Sequence, residues 1–178
     1  MKLNLEKLDK KNICLIGSMG SGKSVIAKIL SKEFGLKFWD TDLLIEKKTN
    51  KSINDIFLEN GEKYFRTVEE DIVLSTLDYN NCIISLGGGA ILSNKIRKKL
   101  QINSFTIFLK VKIEVLYERL KKTKKRPLLK NVNIKEKIIN LSQERDKYYK
   151  NANLIVNNSK NTETTIIEIK KYLKKYYE

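Results

Sequence analysis

Gly17-Ser18-Met19-Gly20-Ser21-Gly22-Lys23-Ser24 stands directly after the apolar run Asn12-Ile13-Cys14-Leu15-Ile16 and directly before Val25 to Phe34. In that following segment Ile26, Ile29, Leu30 and Phe34 fall on one helical face. The octapeptide fits GxxxxGK[ST] at every specified position, and its neighbours supply the strand and the helix that such a loop needs. Glycines there let backbone N–H groups turn inward around a polyphosphate, and the helix start adds its partial positive charge. Lys23 is placed to reach β and γ phosphates and Ser24 to ligate Mg²⁺, so the stretch predicts a nucleoside triphosphate bound with Mg²⁺.

Beyond this stretch, strand-length apolar runs recur at Leu36 to Trp39, Cys82 to Leu86, Phe105 to Leu109 and Leu154 to Val156. Helical periodicity fills much of the intervening chain; Val111 to Leu120, for instance, sets Ile113, Leu116 and Leu120 on one face. Alternating strands and helices imply right-handed crossovers and a parallel sheet covered on both faces, a three-layer α/β/α domain. The stretch from about residue 40 to 78 is too long for a simple crossover. It reads as an inserted helical unit over the sheet edge, with a short helix at Ile53 to Leu58 and a longer one at Glu62 to Leu77, separated by Asn60-Gly61. Residues 121 to 133 hold a basic run ending at Arg126 and the only proline, Pro127, and read as a loop or lid over the same edge. At 178 residues the chain is expected to form one domain.

Composition narrows the function. With 41% hydrophobic and 32% charged residues the chain is of soluble globular type, and no apolar run is long enough for a bilayer. Met1 to Lys11 lacks the apolar stretch of a secretory signal, so the expected location is the cytoplasm. There is no histidine, which removes His-based general-base catalysis and the usual zinc sites. Cys14 and Cys82 each sit inside an apolar run and read as buried, inert thiols. The net charge of +15 arises wholly beyond Ala90, because Met1 to Ala90 carries equal numbers of acidic and basic side chains. Such asymmetry suits a nucleic-acid-binding ATPase or a plain solvated surface, and charge alone does not choose.

Several further residues sit at the expected carboxyl edge of the sheet, where open α/β sheets bind ligands. Asp40-Thr41-Asp42 follows the second strand. One carboxylate is suited to the metal and one to an acceptor hydroxyl, but Thr41 or Asp42 would equally cap a helix over Leu43 to Lys48. Arg66 lies three and four residues before Glu69 and Glu70, the spacing of a solvated helical ion pair. Gly87-Gly88-Gly89 permits close approach of a ligand to backbone, or makes a tight turn. Arg145 shares a helical face with Ile138 and Leu141, and a charge on a core-facing stripe calls for a partner such as a ligand carboxylate.

Taken in order, these segments resemble the shikimate kinases over Asn12 to about Val156. The resemblance rests on the phosphate loop, Phe38-Trp39-Asp40-Thr41-Asp42 with Ile45-Glu46, Ile53 with Ile56-Phe57, Gly61-Glu62 with Phe65-Arg66 and Glu69, the triple glycine, Arg126-Pro127-Leu128-Leu129, and Glu144-Arg145 with Tyr148 and Tyr149. It implies a P-loop kinase fold with a five-stranded parallel sheet, and transfer of the γ-phosphoryl of ATP to the 3-hydroxyl of shikimate in aromatic amino acid biosynthesis. By the same resemblance, Gly20, Ser21, Gly22, Lys23, Ser24 and Val25 hold ATP together with Arg119, stacked on adenine, and Arg126. Asp42, Arg66, Gly87, Gly88, Gly89 and Arg145 hold shikimate, with Glu69 orienting Arg66 and with Phe57 and Phe65 as pocket walls. Lys23, Asp42 and Arg126 are the catalytic set, and Ser24 and Asp40 are the Mg²⁺ set. A monomer acting without nucleic acid or membrane is the expectation, and kinases of gluconate or of nucleotides, or an idle homologue serving as a binding module, are the related alternatives. The chain departs from the family at Val25, where a second hydroxyl residue is usual, in the loosely matching tract Asn157 to Thr162, and in a leader, residues 1 to 11, with no expected role.

Overall fold

The structure is a computed structural model and describes residues 3–123, 127–129 and 132–177. Five strands, β1 (Asn12–Ile16), β2 (Lys37–Asp40), β3 (Cys82–Ser85), β4 (Ser104–Lys110) and β5 (Leu154–Asn157), form one sheet in the order β2-β3-β1-β4-β5. Every pairing is parallel, with Ile13 opposite both Ile83 and Phe105 at the centre. β1 is buried at all five positions, as a strand covered on both faces must be. Its side chains alternate between two cores: Ile13 and Leu15 join one cluster, Cys14 and Ile16 the other.

The first core is closed by helices α1 (Lys23–Phe34) and α7 (Thr162–Leu173) through Ile26, Leu30, Phe34, Ile166, Ile169 and Leu173. Helices α3 (Ile53–Thr76), α4 (Asn94–Asn103) and α6 (Ile134–Tyr149) close the second through Val73, Ile96, Leu100 and Tyr149. Each fully buried side chain of the size of Phe34 or Leu30 contributes about 1.5–3 kcal/mol relative to exposure, so the two clusters hold the layers together. Cys14 and Cys82 lie in the second core, unbonded to each other. Burial pushes the Cys14 thiol well up and that of Cys82 up to about 12, consistent with inert thiols.

The insertion between β2 and β3 consists of α2 (Thr41–Thr49) and α3, joined around a small core of Ile45, Ile56, Phe65 and Ile72. Gly61, at φ 77 and ψ 173, interrupts α3 where the sequence places the break between two helices. Helix α5 (Ile113–Leu120) and α6 build a fourth cluster, Leu116, Leu120, Leu129 and Ile138. Leu129 therefore anchors the segment after Pro127 in apolar contact, within the stretch that the sequence reads as a surface loop or lid. Among the described residues no helix is long and apolar enough to cross a membrane.

Several boundaries differ from the sequence expectations. β2 runs one residue further, and α2 begins at Thr41 instead of Leu43, because Asp40 is its cap: the Asp40 carboxylate accepts hydrogen bonds from the backbone N–H of Asp42 and Leu43. The leader has a place in the fold. Leu3 and Leu5 are buried in the first core near Phe34 and Leu173, Leu3 bridges Tyr177, and Lys7 donates to the Tyr177 carbonyl.

Candidate active site

The carboxyl edge of the sheet collects nearly all the residues singled out from the sequence. After β1 the chain turns through Gly17 to Gly22 and enters α1 with Gly22 as its cap at φ 92, a left-handed backbone that glycine adopts without strain. Lys23 is 8% exposed, and its ammonium donates to the carbonyls of Gly17 and Ser18, both at 2.9 Å. Those bonds fold the lysine over the loop that its own helix presents. Val25, by contrast, is more than half exposed on the outer side of α1.

Ser24 lies one residue further. Its hydroxyl donates to Asp40 Oδ2 at 2.5 Å and lies 3.2 Å from Ser85 Oγ. A hydroxyl and a carboxylate side by side are hard oxygen donors of the kind that hold a divalent cation with few protein ligands. Asp40 thus does two things, capping α2 through Oδ1 and meeting Ser24 through Oδ2. Thr41, which sequence reasoning gave no role but capping, is fully buried and ties the sheet edge together. Its hydroxyl donates to the Ser85 carbonyl and accepts from the Gly87 N–H at 3.0 Å, fixing where the triple glycine leaves β3.

The glycines then form one wall of an open cleft lined also by Asp42, Phe57, Phe65, Arg66, Glu69 and Arg145. Pro127 and Leu128 close another side, so the described part of the expected lid borders this cleft. A side chain at Gly87 would put Cβ 2.6 Å from Glu69 Oε1 and 2.8 Å from Asp42 Oδ1, and one at Gly89 would fall on the Arg66 guanidinium. Bare backbone is what allows two acids and an arginine to converge on this strand exit.

Arg66 is held from two sides on its own helix. Nη1 donates to Glu69 at 2.5 Å, while Nε and Nη2 donate to Glu62 at 3.2 and 2.9 Å. Desolvation works against the guanidinium charge, but Glu69 and Glu62 more than offset it and hold the Arg66 pKa above its ordinary value. Burial pushes the Glu69 carboxyl up; Arg66 opposes that shift, and the nearby Asp42 carboxylate adds to it. The ion pair that the spacing predicts is present, and Arg66 also lines the cleft.

Arg145 is 2% exposed, on the inward face of α6 as its spacing predicts. Nη1 donates to the Gly88 carbonyl at 3.2 Å, and the buried Nε makes no hydrogen bond to any described residue. One turn later Tyr149 donates its hydroxyl to the same carbonyl at 2.6 Å. Tyr149 is a site-shaping residue that hydrophobic periodicity hides, because an aromatic on a core-facing stripe reads as packing, and its stacking on Phe108 is indeed packing.

Arg119 lies at the end of α5 and donates from Nη1 to the Gly20 carbonyl at 3.1 Å and from Nη2 to the Asn158 carbonyl at 2.9 Å. It thus stands beside the phosphate loop. Arg126 lies outside the described residues. Glu69, Arg66, Asp42, Gly87 to Gly89 and Arg145 meet in one cleft, while Lys23, Ser24 and Asp40 meet at the phosphate loop next to it, with Met19 of that loop on the cleft wall.

Comparison with known proteins points the same way. The family model for shikimate kinase matches residues 19–175. The shikimate kinase of Bartonella quintana is 36% identical over 164 residues, covering 92% of this chain and 78% of that protein. Among solved structures, shikimate kinase from Acinetobacter baumannii in complex with shikimate superposes with a TM-score of 0.88 at 28% identity, over 97% of this chain and 98% of that one. Shikimate kinase from Aquifex aeolicus superposes with a TM-score of 0.80 at 36% identity, over 92% and 96% of the two chains. A match running from the phosphate loop almost to the C-terminus, on a fold whose sheet edge gathers these side chains, leaves one assignment: the chain belongs to the shikimate kinase family.

Proposed function

We propose that this chain phosphorylates shikimate, transferring the γ-phosphoryl group of ATP to the 3-hydroxyl to give shikimate 3-phosphate and ADP. The observation that carries the reading is the buried Arg145, whose Nε makes no hydrogen bond to a described residue, lining one cleft with Arg66 and Asp42. Two guanidiniums suit a carboxylate, and an acid on the same cleft suits the hydroxyls of a compact polyol.

The division of labour follows from placement. The phosphate loop and the first turn of α1 receive the triphosphate, Lys23 swinging from the loop carbonyls to the β and γ oxygens. Ser24 and Asp40 fit a divalent cation, Mg²⁺ in this reading, which supplies charge neutralisation on the phosphates when bound. Arg66 and Arg145 hold the acceptor carboxylate, Glu69 keeps Arg66 turned toward the cleft, and the Gly88 region contributes backbone contacts. Asp42 orients the acceptor hydroxyl and takes its proton as the new oxygen–phosphorus bond forms and the bond to the ADP oxygen breaks. Arg126 is assigned to closure over ATP, with residues from about 121 to 133 as the lid and 40 to 78 as the acceptor-binding insertion of one domain. A cytoplasmic monomer needing neither nucleic acid nor membrane completes the proposal.

A coupled ADP-release assay with shikimate, quinate, gluconate and nucleoside monophosphates tests it. Shikimate should accelerate ADP release most; preference for gluconate or a nucleotide would reject the acceptor assignment. Gly89→Ala provides a sharper test of the cleft. The new methyl must displace the Arg66 guanidinium, so KM for shikimate should rise about 5- to 100-fold while KM for ATP stays constant. Equal effects on both substrates would detach Arg66 from the acceptor.

A further inference from the structure

The segment after β5 holds the phosphate loop through a side chain that neither the loop motif nor the family resemblance singles out. Asn158 is 1% exposed and uses all four of its polar groups. Its N–H donates to the Lys110 carbonyl at 2.8 Å, and its carbonyl accepts from Arg119 at 2.9 Å. Its side-chain Oδ1 accepts from Thr165 Oγ1 at 2.8 Å, and its Nδ2 donates to the Ser21 carbonyl at 2.7 Å. The last contact fixes which end of the amide is nitrogen, since only Nδ2 can face a carbonyl.

The consequence lies on the other side of that peptide plane. A trans peptide is planar, so the carbonyl of Ser21 and the N–H of Gly22 point in opposite directions, and holding one aims the other. Gly22 is the cap of α1, the position from which backbone N–H groups face a bound phosphate. The Ser21 N–H is already used within the loop, donating to the Ser18 carbonyl at 3.1 Å, whereas the carbonyl of Gly20 is held from behind by Arg119 at 3.1 Å. Two successive loop carbonyls are thus fastened to Asn158, one directly and one through the arginine that Asn158 itself accepts from. The approach also explains why Gly22 lacks a side chain: a Cβ there would lie 2.8 Å from Asn158 Nδ2.

We propose that Asn158 is a positioning residue for nucleotide phosphate binding, setting the aim of the Gly22 N–H by holding the Ser21 carbonyl, with Thr165 fixing the orientation of its amide. The proposal rests on the reading of Gly17 to Ser24 as a nucleotide site and is independent of the acceptor. Calorimetric titration with MgADP, beside KM values for ATP and shikimate and thermal melting, tests it on the full chain. Asn158→Leu keeps the volume and removes the donor; it should weaken MgADP about tenfold and raise KM for ATP in proportion, with KM for shikimate changed less than about twofold. Thr165→Val should act in the same direction more weakly, and the double variant should fall short of the product of the two effects, because both act through one amide. If Asn158→Leu lowers only the melting temperature and leaves MgADP affinity intact, the residue is mere packing and the proposal fails. It fails as well if KM for shikimate rises in parallel with that for ATP. MgADP binding is measured without an acceptor, so a wrong acceptor assignment would leave this result standing, and a failure here would leave the acceptor assignment standing.

Discussion

Asp42→Asn is expected to lower kcat for shikimate phosphorylation by about 10²-fold or more, with little loss of stability. Both halves follow from the geometry at the β2 to α2 junction. Asp42 lines the cleft proposed for the acceptor, with Oδ1 where a side chain on Gly87 would have to go, so in that proposal the change alters the group facing the acceptor hydroxyl. The helix does not depend on it, since the cap of α2 is the Asp40 carboxylate, which accepts from the Asp42 and Leu43 N–H groups. Against the helix dipole the substitution removes one acidic charge in the first turn, worth about 0.3–1 kcal/mol, and it also removes a negative charge that acts on the buried Glu69 carboxyl. Steady-state kinetics paired with thermal melting separate the effects. Full turnover with normal KM in the variant would remove Asp42 from the reaction.

Arg145→Met is expected to raise KM for shikimate about 10²-fold or more while the melting temperature stays level or rises. Arg145 is a buried cation that donates to a backbone carbonyl at 3.2 Å, lies 3.6 Å from Glu144 Oε2 at Nε, and shares the field of Tyr149 and of Glu69, a carboxylate already paired with Arg66. An apolar side chain of similar length relieves that desolvation, and Tyr149 still holds the Gly88 carbonyl. The loss falls on the ligand, which no longer meets a planar fork. Arg145→Lys should recover little, because an ammonium cannot offer two parallel donors to a carboxylate. A variant that melts early with unchanged KM would make Arg145 structural.

The sequence makes some of this arrangement legible and hides the rest for physical reasons. The junction of β1, the phosphate loop and α1 is readable because three signals coincide within 23 residues, Asn12 to Phe34: a run buried on both faces, glycines at fixed spacing, and a helical stripe. The break in α3 is readable because Gly61 is the one residue there that tolerates its backbone angles without strain. The assignment between Asp40 and Asp42 is not readable, since capping depends on which residue keeps extended angles, and that is settled by where β2 pairs with β3. Helix α4 escapes notice because Ile96 and Leu100 are its only buried apolar residues among lysines and asparagines. Thr41, Tyr149 and Asn158 act on backbone carbonyls or amides 46, 61 and 137 residues away in the chain, contacts that leave no local pattern. The basic surplus beyond Ala90 contributes Arg145 to the cleft and Arg119 to the phosphate loop, while Lys23 and Arg66 come from the neutral half, so net charge is a poor guide to the site.

The identity of the acceptor is tested most directly by where the phosphoryl group goes. The chain is incubated with γ-labelled ATP, Mg²⁺ and shikimate, and the products are separated and identified by mass spectrometry and phosphorus NMR. Label is expected in shikimate 3-phosphate, in step with ADP formed. Label appearing only in inorganic phosphate, or in a nucleotide or gluconate offered in competition while shikimate stays unmodified, would contradict the acceptor assignment.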